Sequence, residues 1–245
     1  MLSRLSPRDY ARISPQLEQV PLRFGQTIYK AKAEIDYVYF PEAGVLSIVG
    51  ITGGHKPIEV GIVGSEGLAG LPLFLGVRRS ANMVNVQAGG MASRLKAAHA
   101  LSEFTRGGSF RDAVLLFAHE LFLQVSHTTS CNRHHEVEER LSRWLLMIRD
   151  RVTDDTLELT QEFLSWMLGV RNQAVSRAAM TVQEAGAIKY SRGAVTILDR
   201  TKLEQRACAC YRMMKSHTNG HRRSSILKEC RPTTAINGCV QTKRG

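Results

Sequence analysis

Leu159-Thr-Gln-Glu-Phe-Leu-Ser-Trp-Met-Leu-Gly-Val-Arg-Asn-Gln-Ala-Val-Ser-Arg177, with the run that continues to Leu198, is the most informative stretch of the chain. Thr160 can cap a helix, because its hydroxyl accepts from a free backbone N–H of the first turn, and Glu162 suits the positive end of the helix dipole. Phe163, Leu164, Met167 and Leu168 give this short helix one apolar face. Gly169 stands where a tight turn between helices needs a left-handed residue. Val175, Ala178, Ala179 and Val182 form the inward face of a second helix, which Gly186 stops. Ile188–Tyr190, a Ser191-Arg192-Gly193 turn and Val195–Leu198 read as a β-hairpin. Helix, glycine turn, helix and hairpin over residues 159–198 make a winged helix-turn-helix.

The outward face of the second helix gives that motif its chemistry. Arg171, Asn172, Gln173, Ser176 and Arg177 cluster in its first turns, the part of a helix-turn-helix that enters the major groove. Arginine can donate to guanine O6 and N7 together, and Asn or Gln can pair with adenine N6 and N7. Thr160, Gln161, Lys189 and Arg192 are then placed near phosphates. A structural helical hairpin with a solvated polar face is the bland alternative; the turn glycine, the inward residues and the wing together argue against it.

Working upstream, Val137–Arg149 reads as a helix with Val137, Leu141, Trp144, Leu145 and Ile148 buried and Arg140 and Arg143 on the wet side. Asn132-Arg133-His134-His135 is a polar interruption and a candidate hinge. From Phe110 to about Arg133 there is no Gly or Pro, and Val114, Ala118, Leu121, Val125 and Thr128 recur with heptad-like spacing. Leu115, Leu116, Phe117, Phe122 and Leu123 make other sides apolar, so one face can cover a neighbouring domain while the seam packs on a second copy of the chain. A wholly intrachain buried helix is the competing reading.

Between Val20 and about Leu95 the pattern is short strands and Gly-bearing turns: Ile35–Tyr39, a break at Pro41–Gly44, Val45–Val49, then Ile58–Val63. Glycines at 61, 64, 67 and 70 read as a tight turn into a short helix, since no Gly-Lys-Ser/Thr follows to make a Walker loop. The 245 residues carry a net charge of +11. Residues 216–245 hold six basic side chains against one acid, so much of the excess belongs to a tail without periodicity, expected to be disordered. The charge of the body alone is permissive for nucleic acid, not diagnostic. No apolar run approaches membrane-helix length and no secretory h-region begins the chain, so the sequence reads as cytoplasmic.

These motifs resemble the Crp/Fnr family of bacterial transcription regulators. Leu159–Val170 with Gln173–Arg177 is similar to its DNA-binding domain; Gly25–Tyr29, Ile35–Pro41 and Gly44–Ser47 are similar to its cyclic-nucleotide-binding-type β-roll; Val137–Leu146 is similar to the helix after its dimer helix. The resemblance implies an α+β chain: an effector β-roll over residues 1–108, a dimerisation helix and hinge over 109–136, a winged helix-turn-helix over 137–212, and a basic tail over 213–245. It implies a homodimer with Val114, Ala118, Leu121 and Val125 at the interface, double-stranded DNA as partner, RNA polymerase as a further partner, and no membrane. By position after the turn glycine, Arg171, Gln173 and Arg177 read bases or adjacent phosphates.

Cyclic-AMP binders of the family use a Phe-Gly-Glu-Leu-type turn and an Arg-Ser pair. Here Ala69-Gly70-Leu71-Pro72 puts Leu71 where the ribose-binding carboxylate would be, whereas Arg79-Ser80 is kept, so Gly70, Arg79 and Ser80 are the effector-site candidates and the effector and any cofactor are unidentified. No cysteine precedes Cys131, so the family's N-terminal iron–sulfur ligands are missing. Cys131 with His134 and His135, or Cys208 with Cys210, read as incidental thiols, not as a metal site. No catalytic motif is complete: His119-Glu120 lacks a second zinc-protease histidine and no nucleophile elbow occurs. Glu34 and Glu59 have no evident partner. Two rivals remain: a ligand-binding adaptor whose winged domain contacts protein, and a nonspecific DNA binder driven by the tail.

Overall fold

The computed structural model describes residues 1–51, 53 and 57–220, the last five by backbone alone. It opens with helix α1 (Pro7–Ile13), whose Ser6 cap accepts from the Asp9 backbone N–H. A five-stranded antiparallel sheet follows: β1 (Glu18–Leu22), β2 (Thr27–Tyr29), β3 (Tyr37–Gly50), β4 (Ile58–Val63) and β5 (Met83–Lys96). Its order is β1-β5-β3-β4, with β2 also paired to β5. Helix α2 (Ala97–Arg106) leads into the long helix α3 (Ser109–His134) and then α4 (Val137–Arg149). The C-terminal part comprises β6 (Thr156–Glu158), α5 (Gln161–Leu168), α6 (Asn172–Glu184), β7 (Ile188–Ser191), β8 (Ala194–Ile197), α7 (Arg200–Arg206) and α8 (Cys210–Gly220). Its three strands form a second sheet in the order β6-β8-β7.

The sheet departs from the sequence reading at Pro41–Gly44, which does not end a strand. β3 runs through it against β5, with irregularities in register around Ala43. A proline is tolerated at such a bulge because the ladder there asks for no amide donor. Gly44 has φ +92°, and a Cβ on it would lie 2.6 Å from the Ala88 carbonyl oxygen. The turn signal was real, but it bends a long strand instead of breaking it. The glycine-spaced segment 61–70 does lead into a short helical turn, a 3-10 turn at Leu71–Leu75.

Phe40, Leu46, Leu95 and Phe110 are buried in the core of the first part. Phe110, Ala113, Val114 and Phe117 of α3 belong to that core. The start of α3 is anchored by Asp9, whose carboxylate accepts from the Ser109 backbone N–H at 2.8 Å and from its hydroxyl. Those Ser109 bonds, led by the hydroxyl's, pull the Asp9 carboxyl down to about 2. The tail expected from residue 213 begins with order: α8 extends to Gly220, while residues 221–245 lie outside the described residues.

The largest correction concerns α4. Every residue from Arg140 to Ile148 is buried, including both arginines expected on the wet side. The apolar stripe was read properly, but the opposite side of the helix is covered as well. The core around α4 takes in Val45 and Ile62 of the first sheet together with the C-terminal part. Glu59 is also partnered, contrary to expectation: it accepts from the Ser47 hydroxyl at 2.6 Å and from the Trp144 indole N–H at 2.7 Å. A carboxylate from β4 is thereby bonded to the helix that opens the C-terminal part. Burial pushes the Glu59 carboxyl up to about 7 despite those two bonds and the attraction of Arg143 and Arg151.

Because the folded group binds its proton more tightly than the ordinary value of 4.5, its contribution is fully present below that pH and is lost as pH rises towards 7. Glu59→Gln mimics the protonated acid. In urea unfolding, the variant should gain on the wild type progressively between pH 5 and 8, by up to about 3 kcal/mol. Midpoints that stay parallel across that range would refute the buried ionisation.

Candidate nucleic-acid interface

The helix-turn-helix is built by local chemistry that the sequence announced. The Thr160 hydroxyl accepts from the Phe163 backbone N–H at 3.1 Å, which caps α5. Leu164, Met167 and Leu168 are buried beneath it. Gly169 ends α5 with φ +62°, and the Val170 N–H reaches back to the Ser165 carbonyl at 3.1 Å. Such a left-handed turn lets α6 leave α5 sharply. Arg140 reaches across from α4 to donate to the Leu168 carbonyl, satisfying one of the acceptors a helix end leaves open.

Val175, Ala178, Ala179 and Val182 are the buried residues of α6. The other side points away from the protein. Arg171, at the N-cap position, and Asn172, Gln173 and Arg177 are all exposed, whereas Ser176 is half-buried and its hydroxyl is spent on the Asn172 carbonyl at 3.1 Å. Met180 is 59% exposed, one turn beyond Ser176 and Arg177. The sequence reading omitted it, although its place three residues after Arg177 puts it on the same helical face.

The wing stands beside this face. Arg192 (φ +50°) and Gly193 (φ +79°) form the two-residue turn between β7 and β8, the conformation that matches the twist of a tight hairpin. Gln183 of α6 accepts from the Tyr190 backbone N–H at 2.7 Å and so fixes the wing to the helix. Lys189 and Arg192 are exposed on the wing, and Thr160 and Gln161 are exposed at the start of α5. The expected residues thus comprise four cationic side chains and five amide or hydroxyl side chains, with no acid among them.

Residues 139–206 match the Crp-like helix-turn-helix domain. That segment is a Crp-like helix-turn-helix domain. The chain is similar in fold to FixK2 from Bradyrhizobium japonicum, at 13% identity and a TM-score of 0.66 over 79% of this chain and 98% of that one. It is similar also to CLP, the c-di-GMP responsive global regulator of Xanthomonas campestris, at 13% identity and a TM-score of 0.63 over 78% and 99% of the two chains. A CRP-family transcriptional regulator from Thermus thermophilus aligns at 16% identity with a TM-score of 0.64 over 77% and 96%. No curated protein sequence matches the chain. At such identities the likeness is one of fold: a β-roll, a long helix and the Crp-like domain.

The remaining candidates fall in the β-roll and on α3. Arg79 is exposed and extends towards the Glu34 carboxylate at 3.6 Å. The buried Ser80 donates its hydroxyl to the Asn82 carbonyl at 2.7 Å. Gly70 (φ +109°) faces Tyr29 and Val38. On α3, Val114 is taken up by the chain's own core and Leu121 packs partly against it, while Ala118 and Val125 are half-buried. The apolar side chains left outward are Leu115 and Phe122, 42% and 68% exposed. Leu115 and Phe122 stand seven residues apart on α3. No described helix is long and apolar enough to cross a membrane.

Gly169→Ala places a side chain in the left-handed region. It should lower unfolding stability by about 1–2 kcal/mol, and Gly169→Asn should recover part of that loss in the same urea titration. An alanine variant as stable as the wild type would mean the turn does not require this backbone.

Proposed function

We propose that this chain is a sequence-specific, non-catalytic transcription regulator that binds a two-fold-related DNA site as a homodimer. The observation that carries the proposal is the two-sided character of α6: Val175, Ala178, Ala179 and Val182 are buried beneath it, and Arg171, Asn172, Gln173 and Arg177 project from the other side. In the major groove Arg171 and Arg177 suit guanine, and Asn172 and Gln173 suit adenine. Met180 would extend the contact to a thymine methyl. Thr160, Gln161, Ser176, Lys189 and Arg192 would flank the bases and position the backbone.

In this reading residues 1–108 receive the signal, 109–136 pair two copies, and 137–212 bind DNA. Leu115 and Phe122, spaced by seven on α3, supply the inter-chain contact in place of Val114. A signal then acts by changing the relative affinity of two dimer arrangements for half-sites about 34–36 Å apart. The effector is left unnamed, because Leu71 stands where the family's carboxylate would be. The adaptor rival loses ground because a protein-binding face would not need side chains of this base-pairing chemistry gathered on one helix.

Selection from random duplexes at physiological salt should enrich a palindrome with the wild type. Arg177→Ala should weaken binding to it by roughly 10- to 100-fold, as expected for one bidentate base contact. Enrichment of no sequence, with or without cell extract, would favour the adaptor. Enrichment lost on deleting residues 216–245 would favour the tail-driven binder. Phe122→Glu should convert the dimer to monomer in sedimentation velocity and weaken binding to the palindrome. An unchanged dimer would place the interface elsewhere.

A further inference from the structure

Four potential metal ligands meet where α3 ends. Cys131 is in the last turn of α3, and His135 is its C-cap. The two stand four residues apart, which puts them on one side of the helix end. Cys208 lies in the link between α7 and α8, 77 residues from Cys131, and Cys210 is the first residue of α8. Cys131 Sγ lies 3.4 Å from Cys208 Sγ, and Cys210 Sγ lies 3.8 Å from His135 Nδ1. All four ligand atoms lie within 4.8 Å of one another. A tetrahedral zinc ion, with Zn–S near 2.3 Å and Zn–N near 2.0 Å, needs ligand atoms about 3.5–3.8 Å apart. The separations found already fall around that figure.

The charges beside the cluster supply an independent reason. Arg140 and Arg143 are both buried, and neither has a carboxylate in ion-pair contact among the described residues. Their Nε atoms have no hydrogen-bond partner. Arg143 donates to the Met147 sulfur and Arg140 to the Leu168 carbonyl. Buried cations ordinarily require a counter-charge. Glu59 acts on Arg143 only at longer range. Three thiolates and a neutral imidazole around a divalent ion carry a net charge of −1, an anion of the right sign beside both arginines.

We propose that Cys131, His135, Cys208 and Cys210 form a closed Cys3His site for a single zinc ion or a similarly thiophilic divalent ion. Four protein ligands leave no open position, so the ion is structural and not a Lewis acid for a reaction. It ties the end of α3 and the start of the α3–α4 connection to the α7–α8 link, behind the helix-turn-helix. The inference stands whether or not the chain reads DNA.

The test is metal analysis of the untagged full chain, purified under reducing conditions and passed through a desalting column with a weak chelator. The wild type and the Cys230→Ser/Cys239→Ser variant should each retain about one zinc per chain. Cys131→Ser/Cys208→Ser should lose it. Since that variant could also misfold, wild type stripped of metal and reloaded with cobalt(II) supplies a second reading. It should show the intense visible bands and thiolate charge-transfer absorption of tetrahedral cobalt, and these should weaken in Cys210→Ser. Wild type without metal and without those bands, metal lost only from the Cys230/Cys239 variant, or iron with inorganic sulfide in place of a single ion would each overturn the assignment.

Discussion

A helix buried on every side has to be held by two partners at once, and α4 is such a helix. Its residues from Arg140 to Ile148 are enclosed by α5, α6, α7 and α8 and by residues of the first sheet. Trp144 is 2% exposed, so its indole N–H must find an acceptor within the protein. It finds Glu59, which shares the same buried position with Ser47. Neither the β-roll nor the winged part can shift against α4 without exposing apolar surface and orphaning polar groups, a loss of several kcal/mol.

That joint brings the β-roll up to the DNA-facing unit itself. The Ser47 hydroxyl lies 3.7 Å from the Met167 sulfur on α5. A Cβ on Gly169 would sit 3.4 Å from Ile58, the first residue of β4. Arg140 holds the Leu168 carbonyl from the other side. The turn that sets the direction of α6 is thus in contact with both the sheet and α4. The β-roll is joined to the turn before α6 through packed side chains, and not only through the length of α3. The cluster at Cys131, His135, Cys208 and Cys210 lies along the same α4 core and closes its far end.

What the sequence disclosed was local. The Thr160 cap, the Gly169 turn, the spacing of Val175, Ala178, Ala179 and Val182, and the Arg192-Gly193 hairpin each depend on neighbours a few residues away, and α4 begins and ends where its stripe does. Reading failed where the decisive partner was remote. Arg140 and Arg143 look solvated in the sequence, but the fold buries both. Glu59 is separated by 85 residues from the indole it binds. Cys131 with His135, and Cys208 with Cys210, give no signal alone, because only the tertiary fold brings the four together. On α3 the apolar residues are too many for periodicity to say which face stays within the chain; in the fold Val114 joins the β-roll core and Leu115 does not. The break at Pro41–Gly44 is a bulge for a similar reason: β5 continues to pair across it.

The account stands on α4 joining the β-roll and the winged part into one cooperative unit. Native-state hydrogen exchange of the full chain measures this most directly, since amides that open only on global unfolding share one free energy and one denaturant dependence. The slowest amides of β3 and β5, of α4 and of α6 should merge into a single isotherm. Protection in α4 through α6 that is lost at a distinctly lower free energy than in the sheet would contradict it.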